Sequence, residues 1–119
     1  MAHDDRLSLE QMLDTVRRIR AIVRGRSRPA FDIDEVTQLA LLHLIQMLGE
    51  AASRVSAPYR AEHPEFPWAE MVGMRNRIVH GYDHVDPEMV WRVATEDVEP
   101  VVAALERTLG GSPGGGLKA

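Results

Sequence analysis

An all-α fold, an antiparallel bundle of four to five helices, is predicted by three features of the chain. Apolar residues recur at three- and four-residue spacing through most of the 119 residues. Hydrophobic residues make up 45% of the sequence but aromatics only 5%, so the core material is Leu, Val, Ala, Ile and Met, which suits helix-on-helix packing better than a sheet. Proline and glycine fall mainly between the periodic stretches. The length is that of one domain with a single core, assigned to residues 1–110, with the Gly-rich 111–119 as a flexible tail.

Ser8 is the expected N-cap of a first helix that carries Leu9, Met12, Leu13, Val16, Ile19 and Val23, and Gly25 and Pro29 close it. Asp32 followed by Glu35 resembles a capping box opening a second helix, whose stripe is Leu41, Leu44, Ile45, Leu48, Ala52 and Val55. Pro58, Pro64 and Pro67 punctuate a linker with room for a turn or two of helix around Tyr59–Ala61. A third helix is expected from Trp68 to about His80, with Gly81 as its left-handed stop. Asp86-Pro87 starts a fourth, bearing Met89, Val90, Val93, Val98, Val101, Val102, Leu105 and Leu109, which Pro100 should kink or split. Met12, Met47, Met71 and Met89 read as core filler, and Trp68 and Trp91 as core or interface anchors.

The absence of cysteine excludes disulfides, thiolate metal sites and cysteine nucleophiles. No apolar run suits a signal peptide or a membrane span, so a cytoplasmic location is expected. A net charge of −4 argues against non-specific coating of nucleic acid. Arg17, Arg18, Arg20, Arg24, Arg26 and Arg28 nevertheless cluster in one early segment, read as a solvated face rather than an RNA-steering patch.

The stretch from Met74 to Tyr82 gathers a permanent cation (Arg75), a carboxamide (Asn76), an imidazole (His80) and a phenol (Tyr82). An arginine to hold a phosphate and a histidine to move a proton is a minimal kit for cutting RNA. Arg75 stands three or four residues from Met71, Val72, Ile78 and Val79, so it is expected on the apolar face, where a guanidinium must be paired or line a polar cleft. Asn76 and His80 share a face, whereas Arg75 and His80 are about 140° apart on a straight helix. Either the helix unwinds at Gly81 and His80 swings round, or two copies face each other and combine their residues. Glu50 shares a helix face with His43, Gln46, Met47 and Arg54, and reads equally as a solvated edge or dimer seam and as the carboxylate that orients Arg75. His80 and His84 at four-residue spacing do not make a metal site, because Gly81 interrupts the helix and no third ligand is evident.

Arg75-Asn76, His80 and Tyr82 resemble the R-x4-H-x-Y signature of HepT-like toxins in the HEPN ribonuclease superfamily. Gly49-Glu50-Ala51, Pro64 with Pro67-Trp68, and Val90-Trp91 fall where such proteins have similar residues, so the likeness covers most of the chain. The resemblance implies an all-α, metal-independent endoribonuclease without a cofactor, active as a homodimer. It further implies the toxin of a type II toxin–antitoxin pair, neutralised by a MntA-like minimal nucleotidyltransferase antitoxin that adenylylates the motif tyrosine, here Tyr82. On this reading His80 is general base or general acid, Arg75 holds the scissile phosphate of an RNA substrate such as tRNA or mRNA, and Asn76 orients His80 or contacts a phosphate oxygen. The alternative is a catalytically silent helical module that binds and positions the nucleotidyltransferase, with Arg75 and His80 serving the dimer interface. A helix-turn-helix DNA binder fits less well, since no short polar second helix follows a tight turn.

Overall fold

The computed structural model describes residues 3–80 and 86–110, at backbone level alone for residue 3 and for 75–80. These residues are helical, with no strand among them: α1 (His3–Val23), α2 (Arg28–Asp32), α3 (Glu35–Ser53), α4 (Ala57–Glu62), α5 (Trp68–His80), α6 (Pro87–Arg92), a π-helical turn (Val93–Asp97) and α7 (Val98–Thr108). The central element is α3, which packs along both α1 and α5, while α7 lies against α1. Its stripe of Leu41, Leu44, Ile45, Leu48, Ala52 and the following Val55 is buried as the periodicity predicts. Around it close Leu9, Met12, Val16 and Ile19 from α1, and Met71 and Met74 from α5. Val90, Val93, Val98, Val101, Val102 and Leu105 complete the core from the last helical stretch. No described helix is long and apolar enough to cross a membrane.

Four expectations are corrected. Ser8 does not start α1; it is buried inside a helix that begins at His3. The earlier start has a physical anchor, because Asp5, also buried, accepts from the Ser56 backbone N–H at 2.8 Å and from the Ser56 hydroxyl at 2.7 Å. Ser56 is in turn the N-cap of α4, accepting from the Tyr59 N–H at 3.3 Å, so one carboxylate ties the start of α1 to the start of α4. The second correction concerns Asp32, which ends α2 and pairs with Arg28 at 2.7 Å. The N-cap of α3 is Asp34, whose carboxylate accepts from the Thr37 N–H at 3.1 Å. Ser27 caps α2, with Pro29 in its first turn, and Phe31 anchors that short helix against Trp91 with ring centroids 4.9 Å apart.

The third correction concerns only where the irregularity at Pro100 falls, since the expected split of the last helical stretch is present. Pro100 sits, exposed, in the first turn of α7, and the irregularity falls just before it, at Val93–Asp97, where the Val98 N–H reaches back five residues to the Val93 carbonyl. A proline at 100 has no N–H for the Glu96 carbonyl and its ring clashes with that group, so one wide turn upstream relieves the conflict while the apolar stripe stays in register. The fourth is Met47, which is not core but 40% exposed. Gly81 as the stop of α5, and the tail at 111–119, lie outside the described residues.

Two hydrogen bonds from Ser56, the backbone one first, hold the Asp5 carboxyl below its ordinary range. A depressed folded value means that ionised Asp5 stabilises the fold above the unfolded carboxylate range, near ~3.9, and that this is lost as pH falls through the folded value. Asp5→Asn is therefore expected to lower Tm at pH 7, with the gap to wild type closing below about pH 4. Thermal melts across that range check it. A pH-independent gap contradicts the ionic clamp.

Candidate functional site

Helix α5 carries the chemistry-bearing residues. Pro67 precedes its first residue, and the Trp68 ring N–H donates to the His63 carbonyl at 2.9 Å, which pins the start of α5 to the end of α4. Phe66 is buried beneath, with its ring centroid 4.8 Å from that of Trp68. From this fixed end α5 runs to His80, so Arg75, Asn76 and His80 all lie in its C-terminal two turns, as the sequence predicts. Their side chains, and Tyr82 and His84 altogether, lie outside the described residues.

The described half of α5 shifts one detail. Its buried positions are Met71 and Met74, whereas Val72 is half-buried. Helical register then places position 75 about 40° from Met71 and about 100° from Met74, on the flank of the buried face rather than at its centre. Position 80 falls about 180° from Met71, so the two positions still look to different sides of one helix.

Glu50 is half-buried on α3, the helix against which α5 packs. It closes a row that begins at Val36 and runs through Leu39, His43 and Met47, a single face by its three- and four-residue steps. This row is exposed: Val36 by 78%, Leu39 by 50% and Met47 by 40%. Three large apolar side chains are thus exposed along one face of α3 in the single chain. The pairing of Glu50 with Arg75 lies outside the described residues.

The arginines of the early segment are largely committed elsewhere. Arg17 pairs with Glu106 at 3.4 Å, Arg18 with Asp14 at 2.9 Å, Arg20 with Glu99 at 3.2 Å, and Arg28 with Asp32. Two of these pairs join α1 to α7, so the segment reads as a neutralised packing edge, in line with the solvated-face expectation.

Sequence reasoning missed what surrounds the start of α5. Tyr59 is buried, its ring stacked on His63 at 4.1 Å, and its hydroxyl has no hydrogen-bond partner among the described residues. Burial first, then the charges of Glu65, Asp5 and Glu62, push that hydroxyl's pKa up, so it stays a neutral phenol. Beside it a surface groove of about 510 Å³ is lined by Ala57, Arg60, Ala61, Trp68, Ala69 and Val72. A second cavity, of about 320 Å³, lies between α5 and the π-helical turn and is lined by Glu70, Glu96 and Asp97 with Pro67, Met74 and Pro100. Among the described residues no three carboxylate or imidazole side chains gather as a cation site.

The chain matches a protein-family model described as "Ribonuclease HepT-like" over residues 12–108. It is 29% identical, over 83% of its length and 90% of the relative's, to a Thermococcus cleftensis protein named as a probable ribonuclease HepT. A Methanocaldococcus jannaschii protein with an RNase designation is 30% identical over 61% of this chain and 67% of its own. Another, from Caldanaerobacter subterraneus subsp. tengcongensis, is 28% identical over 76% of this chain and 80% of its own. No solved structure matches the chain with the significance of these relatives.

Proposed function

Because the chain belongs to the HepT-like ribonuclease family, we propose that it is an endoribonuclease toxin that cleaves RNA without a metal, at a site completed by a second copy of itself. The observation that carries this reading is the matched span itself, which includes the whole of α5 and so covers the helix bearing Arg75, Asn76 and His80. His80 of one copy takes the proton from a ribose 2′-OH or returns one to the departing 5′-oxygen. Arg75 of the facing copy holds the scissile phosphate and stabilises the charge that builds on it. Asn76, one turn before His80, orients the imidazole or donates to a phosphate oxygen. Attack by the 2′-oxygen leaves a 2′,3′-cyclic phosphate and a 5′-hydroxyl.

Two features support the dimer. Positions 75 and 80 are about 140° apart on α5, so one straight helix does not aim both at the same phosphate. The exposed Val36–Leu39–His43–Met47 row lies on α3, the neighbour of α5, and offers apolar surface for a two-fold contact. Glu50, at the end of that row, then sits at the edge of the composite cleft.

The partner in this proposal is a minimal nucleotidyltransferase that silences the toxin by adenylylating Tyr82. The added phosphate would stand two residues from His80, obstruct the cleft and repel the RNA backbone. Intact mass of the chain, expressed with and without its neighbouring nucleotidyltransferase, tests this. A gain in whole adenylates, absent from Tyr82→Phe, is expected. An unchanged mass under co-expression, or a gain retained by Tyr82→Phe, sinks the assignment. The alternative of a silent positioning module is separated by growth arrest on expression of the chain alone, which such a module would not cause.

A further inference from the structure

We propose that the groove between α4 and α5 is a nucleotide-binding subsite, in which a base of single-stranded RNA stacks on Trp68 and a backbone phosphate meets Arg60. The proposal rests on the ribonuclease reading for its substrate and on the groove's own chemistry for its location. Arg60 is the only charged residue among the six that line it, and its Nε, shut off from solvent, has no acceptor among the described residues. The buried Nε is out of a ligand's reach, but the half-exposed Arg60 side chain still supplies a cation to the groove, and a guanidinium is a strong partner for an anionic oxygen. Trp68 lines the same groove, and its ring N–H is already used by the His63 carbonyl, which leaves the ring as a fixed π-surface rather than a polar reader. Phe66 on one side and the edge-on Tyr59 ring, 6.4 Å away, hold that ring in place. The remaining lining residues are three alanines and a valine, small enough to admit a planar ring beside Trp68. A planar, anionic, sequence-tolerant ligand is what a stacking platform beside an arginine takes.

Register ties the groove to the proposed cleavage site. Trp68, Val72, Asn76 and His80 occupy one i, i+4 row of α5, so the row whose first half lines the groove passes through the positions of Asn76 and His80. From 68 to 80 is about 18 Å along the helix axis, a span of a few nucleotides. The cavity on the other flank of α5 carries Glu70, Glu96 and Asp97, whose charges repel a phosphate backbone. Of the two described hollows flanking α5, the one lined by Arg60 and Trp68 is the one whose lining carries a cation rather than carboxylates.

The test is a fluorescence titration of the full chain carrying Trp91→Phe, which leaves Trp68 as the reporter, with a short 2′-O-methyl oligonucleotide that cannot be cleaved. Saturable quenching is expected, with Kd raised about ten- to a hundredfold by Arg60→Gln and restored in part by Arg60→Lys. Circular dichroism of each variant separates lost binding from lost folding. In cleavage assays Arg60→Gln should raise KM for an oligonucleotide while leaving kcat, and the cleavage of a dinucleotide, unchanged. Quenching that is absent, or that ignores Arg60, overturns the subsite, as does quenching by a co-expressed protein partner in place of the oligonucleotide. His80-dependent cleavage with an unaltered KM in Arg60→Gln rejects the subsite and keeps the ribonuclease. Oligonucleotide binding at Arg60 without any cleavage rejects the ribonuclease and keeps the subsite.

Discussion

His80→Ala is expected to lower RNA cleavage by about 10²–10⁴-fold, the range for losing a general acid or base, with helix content and Tm essentially unchanged. The split between activity and stability follows from position. His80 is the last residue of α5, and its position is about 180° in register from the buried Met71, on the opposite side of the helix. A helix-terminal histidine adds at most ~0.3–1 kcal/mol through the dipole, far less than the catalytic loss. The same substitution should abolish growth arrest on expression without the nucleotidyltransferase. Wild-type cleavage by His80→Ala, or arrest of equal strength, would remove His80 from the mechanism.

Mixing Arg75→Ala with His80→Ala chains is expected to restore activity to roughly a quarter of wild type, though each alone is inactive. Random pairing makes about half of the dimers mixed, and each mixed dimer regains one of its two composite sites. Arg75→Ala alone should cost on the order of 10²–10³-fold, as losing a donor to the transition-state charge does. Refolding or co-expression of tagged chains, followed by purification of the mixed species, provides the measurement. A control is Leu39→Arg, which places a charge in the exposed α3 row and should leave a folded monomer in which no mixing rescues cleavage. Rescue that persists in Leu39→Arg dimers would move the interface elsewhere. No rescue in wild-type-interface dimers would place both residues of a site in one chain.

Much of this fold is written in the periodicity of its sequence. The α3 stripe from Leu41 to Val55, the limits of α5 at Trp68 and His80, and the Asp86 cap were legible because each depends on neighbours three or four residues away. The misplaced boundaries share another cause. Asp5 is held by Ser56, 51 residues distant, and nothing local to Ser8 reveals it. Asp32 and Asp34 both fit a capping role, and only the packing of Phe31 on Trp91 decides that a short helix ends between them. The π-helical turn balances a local conflict at Pro100 against the demand of the core for Val93 and Val98 on one face. The spacing of Met47 fits a core position, yet it belongs to a second row, with Val36 and Leu39, that is exposed in the single chain. Composition cannot distinguish a core stripe from an interface stripe, since both obey the same period. The motif residues were found by their types and spacing, and α5 places Arg75, Asn76 and His80 within its last two turns. The Arg60–Trp68 groove was invisible because it joins two helices across a proline-rich linker.

The central claim, transesterification by protein side chains alone at Arg75 and His80, is tested most directly by the chemistry of the cut ends. Purified chain is incubated with RNA, and with an all-2′-deoxy strand of the same sequence, in excess EDTA, and the product termini are identified by mass spectrometry. RNA fragments ending in 2′,3′-cyclic phosphate and 5′-hydroxyl, with the deoxy strand left intact, are the expected result. Cleavage abolished by EDTA, or a deoxy strand cut as readily as RNA, would contradict it.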